Sequence, residues 1–335
     1  PPSLQDQSVR LGPGHGPDPH TQTAAAGGKD TSASSTGLPG PSGADLPSSI
    51  DLQTPAFSVG VGPSYQQILG GPDGFLLFKL GAQVDAQWRL APGTWIAGSA
   101  DLRVIDNYDR FKYTAPSELP RVRTYAREYA TASRFTIPML QAQQVWALGQ
   151  GHHLSVYGGL LEPMFGGVGA EWLWRPWNGR VALGLDVNQV WQRDFEQDFG
   201  FRDYRVTTGH VSVYWDTGWH DLQAKLMVGQ YLAGDVGATL DVRRQFANGV
   251  SIGAWATKTN VSSAQFGEGS FDKGIYLRVP FDVLLARATP GMANIVWNPL
   301  TRDGGARLQR RFTLDELTRQ GSLGAWSVVP ADSAR

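Results

Sequence analysis

The sequence predicts an all-β fold: a transmembrane, antiparallel, up-and-down β-barrel of roughly 12–14 strands. Three observations predict it. Apolar and polar residues alternate over segments longer than the ~5–6 residues of an ordinary strand. Tight-turn sequences fall between those segments. The polar side of the alternation carries many charges, as a wet interior allows.

Taken in order, residues 1–50 are dominated by Gly, Pro, Ser, Ala and Thr, as in TAAAGGKDTSASSTGLPGPSG. Such a stretch buries too little apolar surface to offset its ordering entropy and reads as a disordered linker. The barrel is expected over residues 55–313 and a polar C-terminal tail over 314–335. Between Gly74 and Leu90, Leu76, Phe78, Leu80, Val84 and Trp88 share one side, and Lys79, Gln83, Asp85 and Arg89 share the other. This period of two is that of a strand. It recurs in Val181–Trp191, Leu222–Val228, Val236–Val242 and Val250–Ala256. Turns are signalled by Pro92-Gly93, Gln150-Gly151, Asn178-Gly179 and Asn248-Gly249; Asn-Gly in particular suits a tight hairpin.

Two architectures fit this pattern. A soluble sandwich or barrel turns its apolar face inward, whereas a membrane barrel turns it toward lipid. Two features favour the membrane. The polar face holds Asp85, Asp101, Arg103, Glu171, Arg175, Asp186, Asp241 and Arg243. Rings such as Trp88, Trp174, Trp177, Trp215, Trp219 and Tyr231 gather at strand ends, as membrane interfaces select. On this reading Leu183, Leu185, Leu226, Val228, Leu240 and Ile252 face lipid, while Thr239 faces a lumen tolerant of charge.

Composition narrows the function. The 335 residues carry a formal net charge of −1, so nothing draws the chain toward nucleic acid. Cysteine is absent, which removes disulfide scaffolds and thiolate chemistry. No apolar run is long enough for a transmembrane helix. The N-terminal PPSLQDQSVR lacks the basic and apolar regions of a signal peptide, and the chain reads as a piece of a longer one.

No catalytic constellation emerges. His152, His153 and His210 lack a third ligand at metal spacing, so no metal or cofactor is expected. Glu162 and Glu171 have the residue type of a glycosidase pair, but a polar lumen accounts for both equally well. The block QRDFEQDFGF places Arg193, Asp194 and Asp198 beside Phe195, Phe199 and Phe201. Rings stack on sugars and charges bond hydroxyls or acidic groups; a plug held by its own ion pairs fits equally. Arg243-Arg244 and Arg302-Asp303 carry the same two readings. In FGEGSFDKGIYLRVPFD, Glu268, Asp272 and Lys273 lie in a glycine-rich loop feeding a strand whose Ile275, Leu277 and Val279 share a face. Arg193, Asp194, Arg243, Arg244, Glu268, Asp272 and Lys273 are therefore the candidates for a polysaccharide path.

Long blocks of the chain resemble one family. They include GGPDGF (70–75), DNYDRF (106–111), LPRVRTYAREY (119–129), LLEPMFGGVGAEWLWRP (160–176), QRDFEQDFGFRDYRVTTGHVSVYWD (192–216), the run from Tyr231 to Asp282, and PLTRDGGARL (299–308). In that order they resemble the YjbH/GfcD family of outer-membrane exopolysaccharide and capsule biosynthesis proteins, over roughly residues 55–310 of this chain and matching the C-terminal half of a family member. The resemblance implies location in the outer membrane of a Gram-negative bacterium and a role as a port for exopolysaccharide or capsule export. It also implies a periplasmic polysaccharide export (OPX) protein as partner. The alternatives are a non-conducting scaffold barrel of the export machine and, in third place, an envelope enzyme that modifies the polymer. The polar residues that follow the last strand depart from barrels that end in a closing aromatic strand.

Overall fold

The computed structural model describes residues 6–12, 56–114, 116–267, 269–284, 292–299 and 301–319. The described residues form fourteen strands: β1 (Asp6–Gly12), β2 (Phe57–Gly71), β3 (Gly74–Ala91), β4 (Thr94–Asp106), β5 (Phe135–Gly149), β6 (His152–Leu160), β7 (Phe165–Trp174), β8 (Val181–Arg193), β9 (Phe201–Asp216), β10 (Leu222–Gln230), β11 (Val236–Gln245), β12 (Ser251–Thr259), β13 (Asp272–Pro280) and β14 (Met292–Asn298). Strands β2 to β14 pair antiparallel with their sequence neighbours in one continuous meander. This is the all-β, up-and-down sheet that the alternation predicts.

The sheet curls until its two ends approach. Between them stands β1, paired along its length with β14 from Asp6–Asn298 to Gly12–Met292, but with β2 only at Leu11–Tyr65. Asp6–Gly12 falls within the stretch read as linker. There it is extended, because the backbone of β14 offers an edge whose donors and acceptors need partners. The rest of residues 1–50 lies outside the described residues.

Side chains alternate about the sheet. Leu80, Val84, Leu102, Val168, Leu185, Val211, Leu226, Leu240 and Ile252 are exposed on the outer face. Asp85, Asp101, Gln143, Glu171, Asn188, Thr208, Thr239 and Thr257 are buried on the inner face. The apolar side of the pattern therefore faces out and the polar side faces in. Among the described residues no helix is long and apolar enough to cross a membrane.

The two rims differ. At one, strands join by short turns after β3, β5, β7, β9 and β11; at the other lie the longer connections 107–134, 194–200 and 260–271. At the turn after β5, Gln150 and Gly151 both take positive φ, 51° and 81°, and a side chain at 151 would strike the Arg175 carbonyl. Glycines also make room inside. A Cβ on Gly274 would meet the Trp255 ring at 2.2 Å, and one on Gly253 would meet the Tyr276 ring at 2.4 Å. Each ring lies across the glycine of the neighbouring strand, covering backbone that would otherwise be bare.

Candidate functional site

The interior of the curled sheet is occupied by the chain itself. Residues 301–319 run from the rim of long connections to the rim of short turns, touching one wall after another. The first contact is Asp303, 1% exposed. Its Oδ1 accepts the backbone N–H groups of Val122 at 2.8 Å, Arg123 at 2.7 Å and Thr124 at 3.0 Å, and its Oδ2 accepts the Thr124 hydroxyl at 2.7 Å. A carboxylate holding several donors in a dry setting makes strong, charge-assisted bonds. Next to it, Gly305 donates its N–H to Asp235 at 2.8 Å, and Leu232 donates to the Ala306 carbonyl at 2.9 Å.

The middle of the segment is ionic. Arg123 forks onto Glu162 at 2.7 and 3.0 Å and donates to the Arg307 carbonyl at 2.6 Å. Glu162 also accepts the Gln309 N–H at 3.0 Å. Arg310 pairs with Glu171 of β7 at 2.8 Å and lies over the Tyr157 ring. That ring has space because a Cβ at the facing Gly169 would come within 2.7 Å of it. Arg311 pairs with Asp85 of β3 at 2.7 Å. At the short-turn rim, helix Leu314–Arg319 completes the run. Leu314 is fully buried and its N–H donates to Glu171 at 3.1 Å, while Asp315 pairs with Arg175 and with Arg319.

The segment is thus complementary in charge to the walls it crosses: arginines meet Asp85 and Glu171, and an aspartate meets Arg175. The tail expected at 314–335 accordingly begins inside the sheet, at residues 314–319; the rest of it lies outside the described residues. The physical reason is pairing. A carboxylate such as Glu171, 3% exposed, needs a cation once water is excluded.

A second inner unit comes from connection 107–134. Helix Ala126–Thr131 carries Tyr129, whose hydroxyl donates to the Arg193 carbonyl. Burial pushes that hydroxyl well above the usual tyrosine range, so it stays protonated as a donor. Tyr125 and Tyr129 meet the Phe195 ring edge-on, at 5.2 and 5.1 Å between centroids. Val122, Leu161, Phe165, Val190 and Leu232 form an apolar cluster beneath it.

The seven path candidates separate under this geometry. Arg193 is fully buried and donates to the carbonyls of Glu162, Ile137 and Asp198 at 2.9, 2.9 and 2.8 Å; it clamps three chain segments together. Asp194 stands in the connection after β8, its N–H donating to Gly200. Arg243 turns inward onto Gln223 at 2.8 Å. Its neighbour Arg244 shares the face of exposed Leu240 and Val242, over Phe246, so the two arginines do not act on one surface. Asp272 turns inward, accepting Trp255 Nε1 at 2.8 Å and Asn298 Nδ2 at 3.1 Å. Lys273 is on the outer side, over the Phe271 ring. Glu268 lies outside the described residues. Among the described residues of this set, Arg193, Arg243 and Asp272 are turned inward, and Arg244 and Lys273 outward. Glu162 and Glu171, too, are each held by an arginine.

Sequence reasoning missed Arg123, Arg310 and Arg311. The available signal was the excess of arginine in GGARLQRRF, set against acidic groups on the inward side of β3 and β7.

A single antiparallel meander, apolar outside and filled with a charge-paired length of its own chain, defines a plugged, barrel-like β-sheet protein. The chain belongs to the family described as exopolysaccharide biosynthesis protein YbjH (YjbH), which matches residues 20–320. It is 44% identical over 274 residues to the uncharacterized lipoprotein YjbH of Escherichia coli K12, covering 80% of this chain and 39% of that relative. The chain therefore spans about two-fifths of the length of the curated relative it matches.

Proposed function

We propose that this chain is the outer-membrane β-barrel part of an exopolysaccharide export apparatus, with a lumen closed by its own residues 301–319, and that it serves as a scaffold docking a periplasmic polysaccharide export protein. The observation that carries the reading is the pairing of an exposed apolar outer face with an ion-paired, filled interior. An outer belt of Leu, Val and Ile suits lipid, and rings exposed near the short-turn rim (Trp88, Trp146, Trp177, Trp215, Trp219) suit the bilayer interface. In such barrels short turns lie on the periplasmic side. The inner segment then reaches that side with Asp315 and Arg319 at the rim, facing the compartment of the export protein.

One observation supports a second reading, a port that opens. The inner segment is attached through many ion pairs and hydrogen bonds, groups that water can satisfy when the segment leaves, beside apolar anchors at Phe312 and Leu314. A bridging experiment separates the readings. The chain has no cysteine, so Asp85→Cys and Arg311→Cys can be joined selectively in intact cells by a short bismaleimide. Normal polymer export with the bridge in place supports the scaffold. Export that stops on bridging, at unchanged barrel abundance, supports the port. Export that persists when the chain is deleted overturns both.

A further inference from the structure

At the rim of long connections, a cleft of about 230 Å³ is lined by Arg121, Tyr125, Gln192, Arg202, Asp203 and Tyr204. We propose that it binds one acidic sugar residue, a uronate unit of a polysaccharide, through its carboxylate. The proposal rests on the reading that polysaccharide is the cargo of this apparatus and names which part of it the barrel holds.

Arg202 carries the argument. It lies on the inward side of β9 and its guanidinium packs on two rings, 4.5 Å from the centroid of Tyr125 and 4.2 Å from that of Phe195. Those contacts fix the plane of the fork and leave Nε and Nη2, which make no hydrogen bond among the described residues, to donate into the cleft. Its Nη1 is buried and makes no hydrogen bond, and no carboxylate pairs with it among the described residues. The other arginine of the cleft differs: Arg121 donates to the Thr124 hydroxyl at 3.2 Å and carbonyl at 2.8 Å, with Glu128 at 3.9 Å. One arginine is therefore engaged by the protein and the other is oriented without an acceptor. A planar carboxylate is the group that a fixed guanidinium fork fits best.

The remaining walls fit a sugar. Asp203 brings a carboxylate suited to ring hydroxyls, while Gln192 is buried and donates its amide to the Arg121 carbonyl at 2.7 Å, fixing that wall. Tyr204, whose hydroxyl is engaged with the Leu232 carbonyl at 2.6 Å, presents its ring as an apolar wall. The volume is below the ~300–1,000 Å³ of pockets that take drug-sized ligands, and so suits a single ring rather than a chain. Its place at the rim lets the rest of a polymer continue into solvent.

The test titrates the purified chain in detergent with a short oligomer of glucuronic acid, the same oligomer with its carboxylates converted to amides, a glucose oligomer of equal length, and acetate. Saturable binding of the glucuronate oligomer is expected, with affinity at least tenfold above each of the other three. Arg202→Gln is expected to reduce it at least tenfold, to the level of the amide. Because the charge is also removed on the ligand, a variant that fails to fold does not decide the result. Equal binding of glucuronate and its amide, equal binding of acetate, or no binding overturns the proposal. Any of these would leave the scaffold reading standing, since that depends on export in cells.

Discussion

The Asp303 carboxylate accepts the backbone N–H of Val122 at 2.8 Å across 181 residues of sequence. With the adjoining bonds to Arg123 and Thr124, it fastens the C-terminal segment to the unit that covers the long-connection rim. Hydrogen bonds to a charged group contribute ~1.5–3 kcal/mol each. Asp303→Ala is therefore expected to free both segments while the strands persist. Limited proteolysis should cut within 116–134 and 301–319 in the variant, with heat-modifiable migration retained. Protection equal to that of the parent would show that the fastening lies elsewhere.

Arg310 and Glu171 form a pair whose side chains are only 9% and 4% exposed. Removing one partner of such a pair typically costs ~3–5 kcal/mol, because the other is left charged and alone. Arg310→Met and Glu171→Gln should each destabilise the fold, and the double variant should lose much less than the sum. Urea midpoints in detergent measure this. Additive losses would mean that the two groups stabilise the protein independently.

Leu240 tests the outer surface. It is 49% exposed. If it faces lipid near the midplane, Leu240→Arg should cost roughly 2–4 kcal/mol in assembly, and Leu240→Phe far less. If it faces water, both should stay within about ±0.5 kcal/mol. Barrel abundance in outer-membrane fractions distinguishes the outcomes. Thr239 does not serve as the permissive control that its inward position suggests. It is fully buried and bonded to Tyr231 and Thr257, each at 2.7 Å, so arginine there should also fail, from crowding.

Tyr129 gives a pH dependence. Burial raises its pKa in the folded chain above the ~10 of an exposed tyrosine. Its contribution to stability is then complete below pH ~10 and is lost as pH rises toward the folded value, because the unfolded state releases the proton first. Tyr129→Phe should cost about 1 kcal/mol at neutral pH and flatten the alkaline fall in stability. Denaturation midpoints between pH 8 and 11 check the sign. An unchanged slope would place the titrating groups elsewhere.

The strands were legible because a sheet writes its two faces into alternate residues: Leu240 out, Thr239 in. The plug was not, because residues 301–313 follow an irregular path and have no period to detect. Asp85 and Glu171 were legible as inward charges, but what they face was not. A wet lumen and a complementary arginine place the same demand on the wall. Arg193 shows the same limit. Its setting beside Asp194 and Phe195 suggested ligand contact, whereas its partners are the carbonyls of Ile137, Glu162 and Asp198, two of them distant in sequence.

The threaded segment imposes an order on folding. Arg311 meets Asp85 over a separation of 226 residues, and Arg310 meets Glu171 over 139. Contacts that far apart form late, because the entropy of closing the loop must be met before the contact stabilises anything. The hairpins of the meander, by contrast, join neighbouring strands and can form locally. Since residues 301–319 follow every described wall strand in the chain, they are synthesised after those strands. The walls must therefore be assembled first, with Asp85, Glu171 and Arg175 temporarily served by water. On this order of assembly the curled sheet is hollow and hydrated until residues 301–319 enter it.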